Sequence, residues 1–131
     1  MRPITRRRTR TEVDTLGLAA TFTENSFTSF TIFISFTFGF LATAFFVGRK
    51  LTRFQALATA GAYLVSAGSM AFASVAWLQA YAALKNSNAT FLDTIPLFNG
   101  DVWAPAMSII LVLGMLISLY FMWDVRHPKT E

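Results

Sequence analysis

The sequence contains no cysteine and only one histidine among its 131 residues. The absence of cysteine excludes disulfides, thiolate metal sites and a thiol nucleophile. The histidine, His127, follows the last apolar run and stands beside Pro128, where an interfacial residue is more common than a metal or haem ligand. We therefore predict no cofactor and no metal site.

Charge is absent from three long runs, 25–48, 54–84 and 102–123, each at least 22 residues long. About 20 apolar residues in a helix cross the hydrocarbon core of a bilayer. With 54% hydrophobic and 14% charged residues, a soluble domain of this size could not bury its apolar surface. The runs predict an all-α integral membrane protein, a single domain over 1–131 with three transmembrane helices at about 26–47, 54–84 and 104–123.

The segments outside these runs carry the net charge of +4, which favours contact with anionic headgroups of a lipid bilayer. Residues 1–24 are predicted to form a basic N-terminal tail, in which a short interfacial helix over 13–22 is an open alternative, and 85–101 an interfacial loop. Nucleic acid is not an expected partner, because the arginine cluster at 6–10 lacks interleaved aromatic residues and Glu12 and Asp14 follow it.

Orientation depends on the basic residues nearest the spans. Arg49, Lys50, Arg53, Arg126 and Lys129 lie on one side, which favours a cytoplasmic C-terminus in a bacterial inner membrane. The arginines of the N-terminal tail argue for the opposite orientation.

The second span carries a small-residue seam at alternating spacings of four and three residues. A 3.5-residue repeat of small side chains allows another helix to approach closely along a left-handed crossing. We therefore predict a tight helix contact along the seam rather than a lipid-facing surface. Its members are Ala62, Ser66, Ser69, Ala73, Ala76, Ala80 and Ala83.

A polar face on the first span has two interpretations. Thr28, Thr31, Ser35 and Gly39 follow one another at three- and four-residue spacing. They could line a narrow polar path in a homo-oligomer, gated by phenylalanines. Alternatively, the hydroxyls bond to the preceding turn or to a partner helix, which is their commoner use.

The ends of the third span predict interfacial contacts. Trp103 at one end and Tyr120 with Trp123 at the other are typical of aromatic belts at the two membrane interfaces. Asp124 is at a helix C-terminus, where the dipole disfavours a carboxylate. We therefore expect Asp124 to pair with Arg49 or Arg53, although an unpaired surface acid is an equal alternative.

No ionisable residue lies within the runs, which counts against a proton-coupled transporter, a pump, a voltage sensor or a haem protein. The acidic residues flank the spans without a recognisable catalytic spacing, so we do not expect an enzyme. The sequence predicts a non-enzymatic structural or accessory subunit that assembles with copies of itself or docks onto a larger membrane complex. The alternative is a homo-oligomeric channel lined by the polar face of the first span.

Overall fold

The computed structural model describes residues 3–87 and 100–127, which form three long helices. These are α1 (Pro3–Val47), α2 (Arg53–Ser87) and α3 (Gly100–Arg126), with a 3₁₀ turn at Gly48–Lys50 between the first two. All three are long and apolar enough to cross a membrane. The predicted all-α fold with three candidate transmembrane helices is therefore confirmed.

Helix α1 is longer than its predicted span, because the segment taken as a basic tail is helical from Pro3 and continuous with the apolar part. Its 45 residues extend about 67 Å at 1.5 Å per residue, more than twice a hydrocarbon core. Tertiary contacts stabilise the extension. Ala19 and Phe22 pack against Tyr81 and Leu84 near the end of α2, and the Phe22 ring lies 5.6 Å from that of Trp77.

Helix α2 begins one residue before its predicted span and ends three residues after it. Helix α3 begins four residues before its predicted span and ends three residues after it. Residues 88–99, most of the predicted interfacial loop, lie outside the described residues.

Reciprocal hydrogen bonds fix the start of α2. The backbone N–H of Thr52 donates to Gln55 Oε1 at 3.0 Å, and the N–H of Gln55 donates to Thr52 Oγ1 at 3.2 Å. This capping box satisfies donors that a helix N-terminus leaves unpaired. Because Leu51 is extended, with ψ 134°, the chain reverses direction within a few residues and α1 and α2 form an antiparallel hairpin.

The core is a buried stripe on each helix, with members spaced three, four or seven residues apart. This spacing is typical of helices that pack along a left-handed crossing. The stripe of α1 comprises Ala19, Ser26, Ser29, Phe33, Phe40 and Ala44. That of α2 comprises Ala56, Tyr63, Ala67, Ala71, Ser74, Leu78 and Tyr81, and that of α3 Ala104, Met107, Leu111, Ser118 and Met122.

Two buried serines join α1 to α2. Ser26 Oγ donates to the Ser74 carbonyl at 2.9 Å, and Ser74 Oγ donates to the Ser26 carbonyl at 3.0 Å. Both residues are almost fully buried, so the pair fixes the register of the hairpin while leaving neither hydroxyl without a partner. Within the described part of the chain, no buried side-chain nitrogen or oxygen lacks a hydrogen bond.

Candidate helix-docking groove

A groove of about 400 Å³ runs between α1 and α2 on the outside of the bundle. Its walls come from these two helices, and α3 contributes none of the lining. All the lining residues are uncharged, and most have small or hydroxyl side chains. They are Ser35, Phe36, Gly39, Phe40, Thr43, Thr59, Ala62, Tyr63 and Ser66. We refer to this feature as the docking groove.

The docking groove brings together parts of the two surfaces that the sequence singles out. Ser35 and Gly39 belong to the polar face of the first span, and Ala62 and Ser66 begin the small-residue seam of the second. The two sets are on different helices and more than 20 residues apart in the sequence. Their meeting at one site is a result of the antiparallel hairpin.

The small-residue seam is not the face that α2 buries within the chain. The buried stripe of α2 lies roughly 140° around the helix from the seam, at 3.6 residues per turn. Ala62, Ser69 and Ala83 are exposed, whereas Ser66, Ala73, Ala76 and Ala80 are half-buried. The internal contact uses Tyr63, Leu78 and Tyr81 among smaller residues, because these large side chains make the most van der Waals contacts with a neighbouring helix. Contact of the seam with another protein stays a prediction.

The polar face of α1 points away from the core, since Thr28, Thr31, Ser35 and Gly39 are all exposed. Thr31 Oγ1 donates to the Phe27 carbonyl at 2.9 Å, and Ser35 Oγ donates to the Thr31 carbonyl at 3.0 Å. These two hydroxyls therefore donate their protons to the preceding turn of their own helix, as the packing interpretation expects. Each hydroxyl oxygen can still accept a further hydrogen bond.

Aromatic packing makes one wall of the docking groove rigid. The rings of Phe40 and Tyr63 stack with centroids 4.3 Å apart and an interplanar angle of 11°. The Tyr63 hydroxyl lies 3.1 Å from Thr37 Oγ1. Since Thr37 already donates its proton to the Phe33 carbonyl at 2.9 Å, the tyrosine hydroxyl is the donor in this contact. The sequence-based prediction did not include Thr37, Phe40 or Tyr63 in a site. The seven-residue spacing of Ser26, Phe33 and Phe40 is a signal for Phe40, whereas no pattern indicates Thr37 or Tyr63.

The glycines distinguish the inside of the bundle from the docking groove. A Cβ added at Gly114 would lie 3.6 Å from the Phe33 ring, and one at Gly48 would lie 3.2 Å from Val125 Cγ1. A Cβ added at Gly39 would meet nothing within 4 Å. Gly39 therefore leaves open space beside α1 that the chain itself does not use.

The predicted interfacial residues lie at the two ends of α3. Trp103 is near its first turn, and Tyr120 and Trp123 are near its last, with their rings 6.0 Å apart. All three are exposed on the bundle surface, where membrane-interface aromatics are expected.

The structure gives no support to the predicted pairing of Asp124. Its side chain and those of Arg49 and Arg53 are exposed, and among the described residues no ion pair joins the acid to either arginine. Instead, the Asp124 carbonyl accepts a hydrogen bond from the backbone N–H of His127 at 3.1 Å, which closes the last turn of α3.

The chemistry available in the docking groove is that of packing and neutral hydrogen bonding. Within the ranges 3–87 and 100–127, no three His, Cys, Asp or Glu residues are grouped so that they could hold a metal ion. Comparison of the chain with protein-family models, curated proteins and solved structures gives no match. A proposal about its function therefore rests on the geometry of the chain alone.

Proposed function

We propose that the protein is a non-enzymatic accessory subunit of a membrane assembly, and that the docking groove receives a transmembrane helix of a second protein molecule. The partner is a further copy of this chain or a component of a larger membrane complex. The observation that carries the proposal is an uncharged groove of small side chains on the outside of a three-helix bundle.

Shape supports this role. Without a hydrophobic driving force in lipid, helices associate through close packing and interhelical hydrogen bonds, which favours small residues at the contact. Gly39, Ala62 and Ser66 allow a second backbone to approach closely, while the stacked rings of Phe40 and Tyr63 provide a fixed surface beside them. The groove is therefore already formed before a partner arrives, which reduces the conformational entropy lost on association.

Polarity supports the same occupant. Thr43 Oγ1 donates to the Gly39 carbonyl at 2.9 Å, as Ser35 does to Thr31 at 3.0 Å. The groove can face lipid without an unsatisfied donor at these positions, and it still offers hydroxyl oxygens to a donor on a partner helix. Such contacts in membranes contribute about 0.6 to 2 kcal/mol each, so van der Waals packing along the groove must supply most of the affinity.

The decisive experiment uses the natural absence of cysteine. Ala62→Cys places one thiol in the docking groove, and Val112→Cys places one on the exposed surface of α3 as the matched control. Because a partner helix in the groove need not carry a thiol, each variant is labelled with a benzophenone maleimide, which inserts into a C–H bond of the neighbouring chain when it is irradiated in membranes. This photo-cross-linking should trap the Ala62→Cys variant with a partner and leave the Val112→Cys variant unlinked. The mass of the trapped species distinguishes a second copy of 14.6 kDa from a different protein.

Two results would contradict the docking role. One is a monomer in mild detergent together with no cross-link from the Ala62→Cys variant in membranes. The other is equal cross-linking from both variants, which would indicate random collision rather than a specific contact.

A second candidate, a homo-oligomeric channel, is favoured by the exposure of all four members of the polar face. In such an oligomer, Thr28, Thr31, Ser35 and Gly39 of several copies would surround a common axis. Ion flux through liposomes that contain the purified protein tests this candidate. Flux that Thr31→Val reduces would favour it, and an impermeable oligomer would exclude it.

We further propose that the assembly is located in a bacterial inner membrane with the C-terminus in the cytoplasm. The cations at the 48–53 turn and at the end of α3 lie next to the charge-free runs, which is where the positive-inside rule weighs charge most heavily. Reporter fusions at the C-terminus would read out this orientation.

A further inference from the structure

A second concavity of about 170 Å³ lies between the start of α2 and the end of α3. Its deeper part is apolar, with Ala56 and Ala60 from one helix and Leu119 and Met122 from the other. Trp123, Arg126 and His127 form its mouth. We refer to this feature as the interfacial cleft, and it is separate from the docking groove in all of its lining residues.

The interfacial cleft lies where the headgroups of a bilayer are expected. The charge-free run of α2 begins at Phe54, directly after Arg53, and that of α3 ends at Trp123, directly before Asp124. Tyr120 and Trp123, with rings 6.0 Å apart, are the residue types that accumulate at this depth. The apolar part of the cleft therefore faces the acyl region, and its mouth faces the phosphates.

Charge at this end of the bundle is predominantly positive. Arg49, Lys50, Arg53 and Arg126 are the cations there, and Asp124 is the one acid among the residues that the structure describes at this end. Of the cations, Arg126 alone lines the cleft, and it is half-buried. A guanidinium held against apolar walls is a strong binder of a phosphate diester, because it donates several hydrogen bonds in a fixed plane.

The side chain of His127 is held in place at the mouth. Its Nδ1 lies 3.0 Å from the Trp123 carbonyl oxygen, and its ring stacks on the Trp123 indole with centroids 5.1 Å apart. Because a carbonyl oxygen can only accept, Nδ1 carries the proton. In the neutral ring Nε2 is then an acceptor, which can take a hydrogen bond from a headgroup hydroxyl but cannot donate one to a phosphate. The mouth thus combines a guanidinium, an ordered imidazole and an indole above an apolar floor.

We infer that the interfacial cleft binds one anionic phospholipid, with the phosphate at Arg126 and part of an acyl chain against Ala56, Ala60 and Leu119. Basic pockets between transmembrane helices recognise anionic headgroups in this way. The inference goes beyond the docking role and does not depend on it, since a lone bundle carries the whole cleft.

The test is a lipid titration of the purified full chain by native mass spectrometry, at about 0.15 M ionic strength, where screening acts beyond about 8 Å. Comparison of phosphatidylglycerol with phosphatidylcholine of identical acyl chains isolates the contribution of the headgroup charge, because both lipids place the same chains in the cleft. Glycerol 3-phosphate, which has the anion and lacks the chains, separates a lipid from a soluble phosphate. We expect phosphatidylglycerol to bind at least about tenfold more tightly than phosphatidylcholine, because the cations at this end repel the choline group. It should also bind at least about tenfold more tightly than glycerol 3-phosphate, which places no acyl chain in the cleft.

Variants assign the effect to the cleft. Arg126→Gln should weaken phosphatidylglycerol binding about tenfold. Arg49→Gln, a matched loss of charge at an exposed position outside the cleft lining, should change it less than about twofold, because water weakens the attraction of an exposed charge. Arg126→Lys, with Arg49→Lys as its control, stands in if Arg126→Gln does not fold. Lysine keeps the charge but lacks the planar set of donors, so phosphatidylglycerol binding should weaken in Arg126→Lys and stay unchanged in Arg49→Lys. Elution volume and helical circular dichroism confirm the fold of each variant.

Three results would overturn the inference. Equal binding of the two phospholipids would show that charge is not recognised. Equal losses in Arg126→Gln and Arg49→Gln would show general electrostatic attraction without a site. Binding of glycerol 3-phosphate as tight as that of phosphatidylglycerol would identify a soluble anion, and not a lipid, as the ligand.

Discussion

The hairpin of α1 and α2 has two sides with similar chemistry and different contacts. On the inner side, Ser26 and Ser74 exchange hydrogen bonds with each other's carbonyls across the two helices. On the outer side, Ser35 and Thr43 direct their hydroxyl protons to carbonyls of their own helix. Among the buried serines, Ser26 and Ser74 join two helices, whereas Ser29 and Ser118 donate to carbonyls of their own helices, as the hydroxyls on the outer side do.

The difference shows how the chain distributes its large and small side chains. Phe40 lies between the two sides, since it is buried in the core and also borders the docking groove. The inner side fills space with such aromatic rings, whereas the outer side leaves the space beside Gly39 empty. We expect substitutions on the inner side to change folding and substitutions on the outer side to change association.

Phe40→Ala should have the largest effect. The side chain is 4% exposed and stacks on Tyr63, so its truncation should lower the free energy of unfolding by about 3 to 5 kcal/mol. Unfolding in mixed detergent micelles, followed by tryptophan fluorescence, measures this loss. Phe38→Ala, at a position that is 69% exposed, is the control and should cost less than about 0.5 kcal/mol. Similar losses in both would remove the distinction between the two sides.

Gly39→Leu should weaken self-association or complex formation at least about tenfold, or about 1.4 kcal/mol, because the added side chain occupies the docking groove. The monomer should keep its stability, since a Cβ at this position meets nothing within 4 Å and leucine favours a helix over glycine. The dissociation constant, measured by energy transfer between labelled copies or between labelled chain and partner, tests this.

Gly61→Leu is the matched control for Gly39→Leu. Gly61 also has open space around its Cβ position, but it lies one turn from the exposed Leu57 and Val65 and does not line the docking groove. Association that survives Gly61→Leu and fails with Gly39→Leu would support the groove. Loss in Gly61→Leu alone would place the interface on a different face of α2.

Ser74→Ala should have the smallest effect, a loss of about 0.6 to 1.7 kcal/mol in unfolding free energy, which is the range measured for interhelical hydrogen bonds in membranes. The Ser26 carbonyl would lose its donor, whereas the Ser26 hydroxyl would keep the backbone carbonyl of residue 74 as its acceptor. Ser69→Ala is the control, since its hydroxyl already donates within α2, to the Ser66 carbonyl at 2.9 Å. A larger loss in Ser69→Ala than in Ser74→Ala would contradict the structural role of the serine pair.

The sequence predicted the number and type of the elements better than their faces. Charge-free runs located the end of α1 and both ends of α2 and α3 to within about four residues. The Thr52–Gln55 spacing is a readable capping signal for the start of α2. The seam on α2 had the repeat of a helix contact, but the internal contact uses Tyr63, Leu78 and Tyr81 instead. A repeat of small residues indicates a close approach without identifying the partner.

The continuity of α1 back to Pro3 was missed for a related reason. Residues 2–10 are basic, and residues 11–24 contain three acids among small and apolar residues, which together are typical of a solvated tail that includes at most a short interfacial helix. The turns nearest Ser26 are held in a helix because Ala19 and Phe22 have Tyr81 and Leu84 to pack against, and these lie some 60 residues further along the chain. Helical stability of this kind comes from tertiary packing rather than from propensity, so a local pattern could not predict it.

The sequence by itself determined that this chain is three apolar helices, because hydrocarbon offers no partner to a backbone amide and only a helix satisfies all of its amides internally. The tertiary structure decided which faces those helices share. In lipid, the inner and outer faces of a span are nearly equal in polarity. Which face is buried is therefore determined by the fit of particular side chains, such as Phe40 on Tyr63 and Ser26 on Ser74.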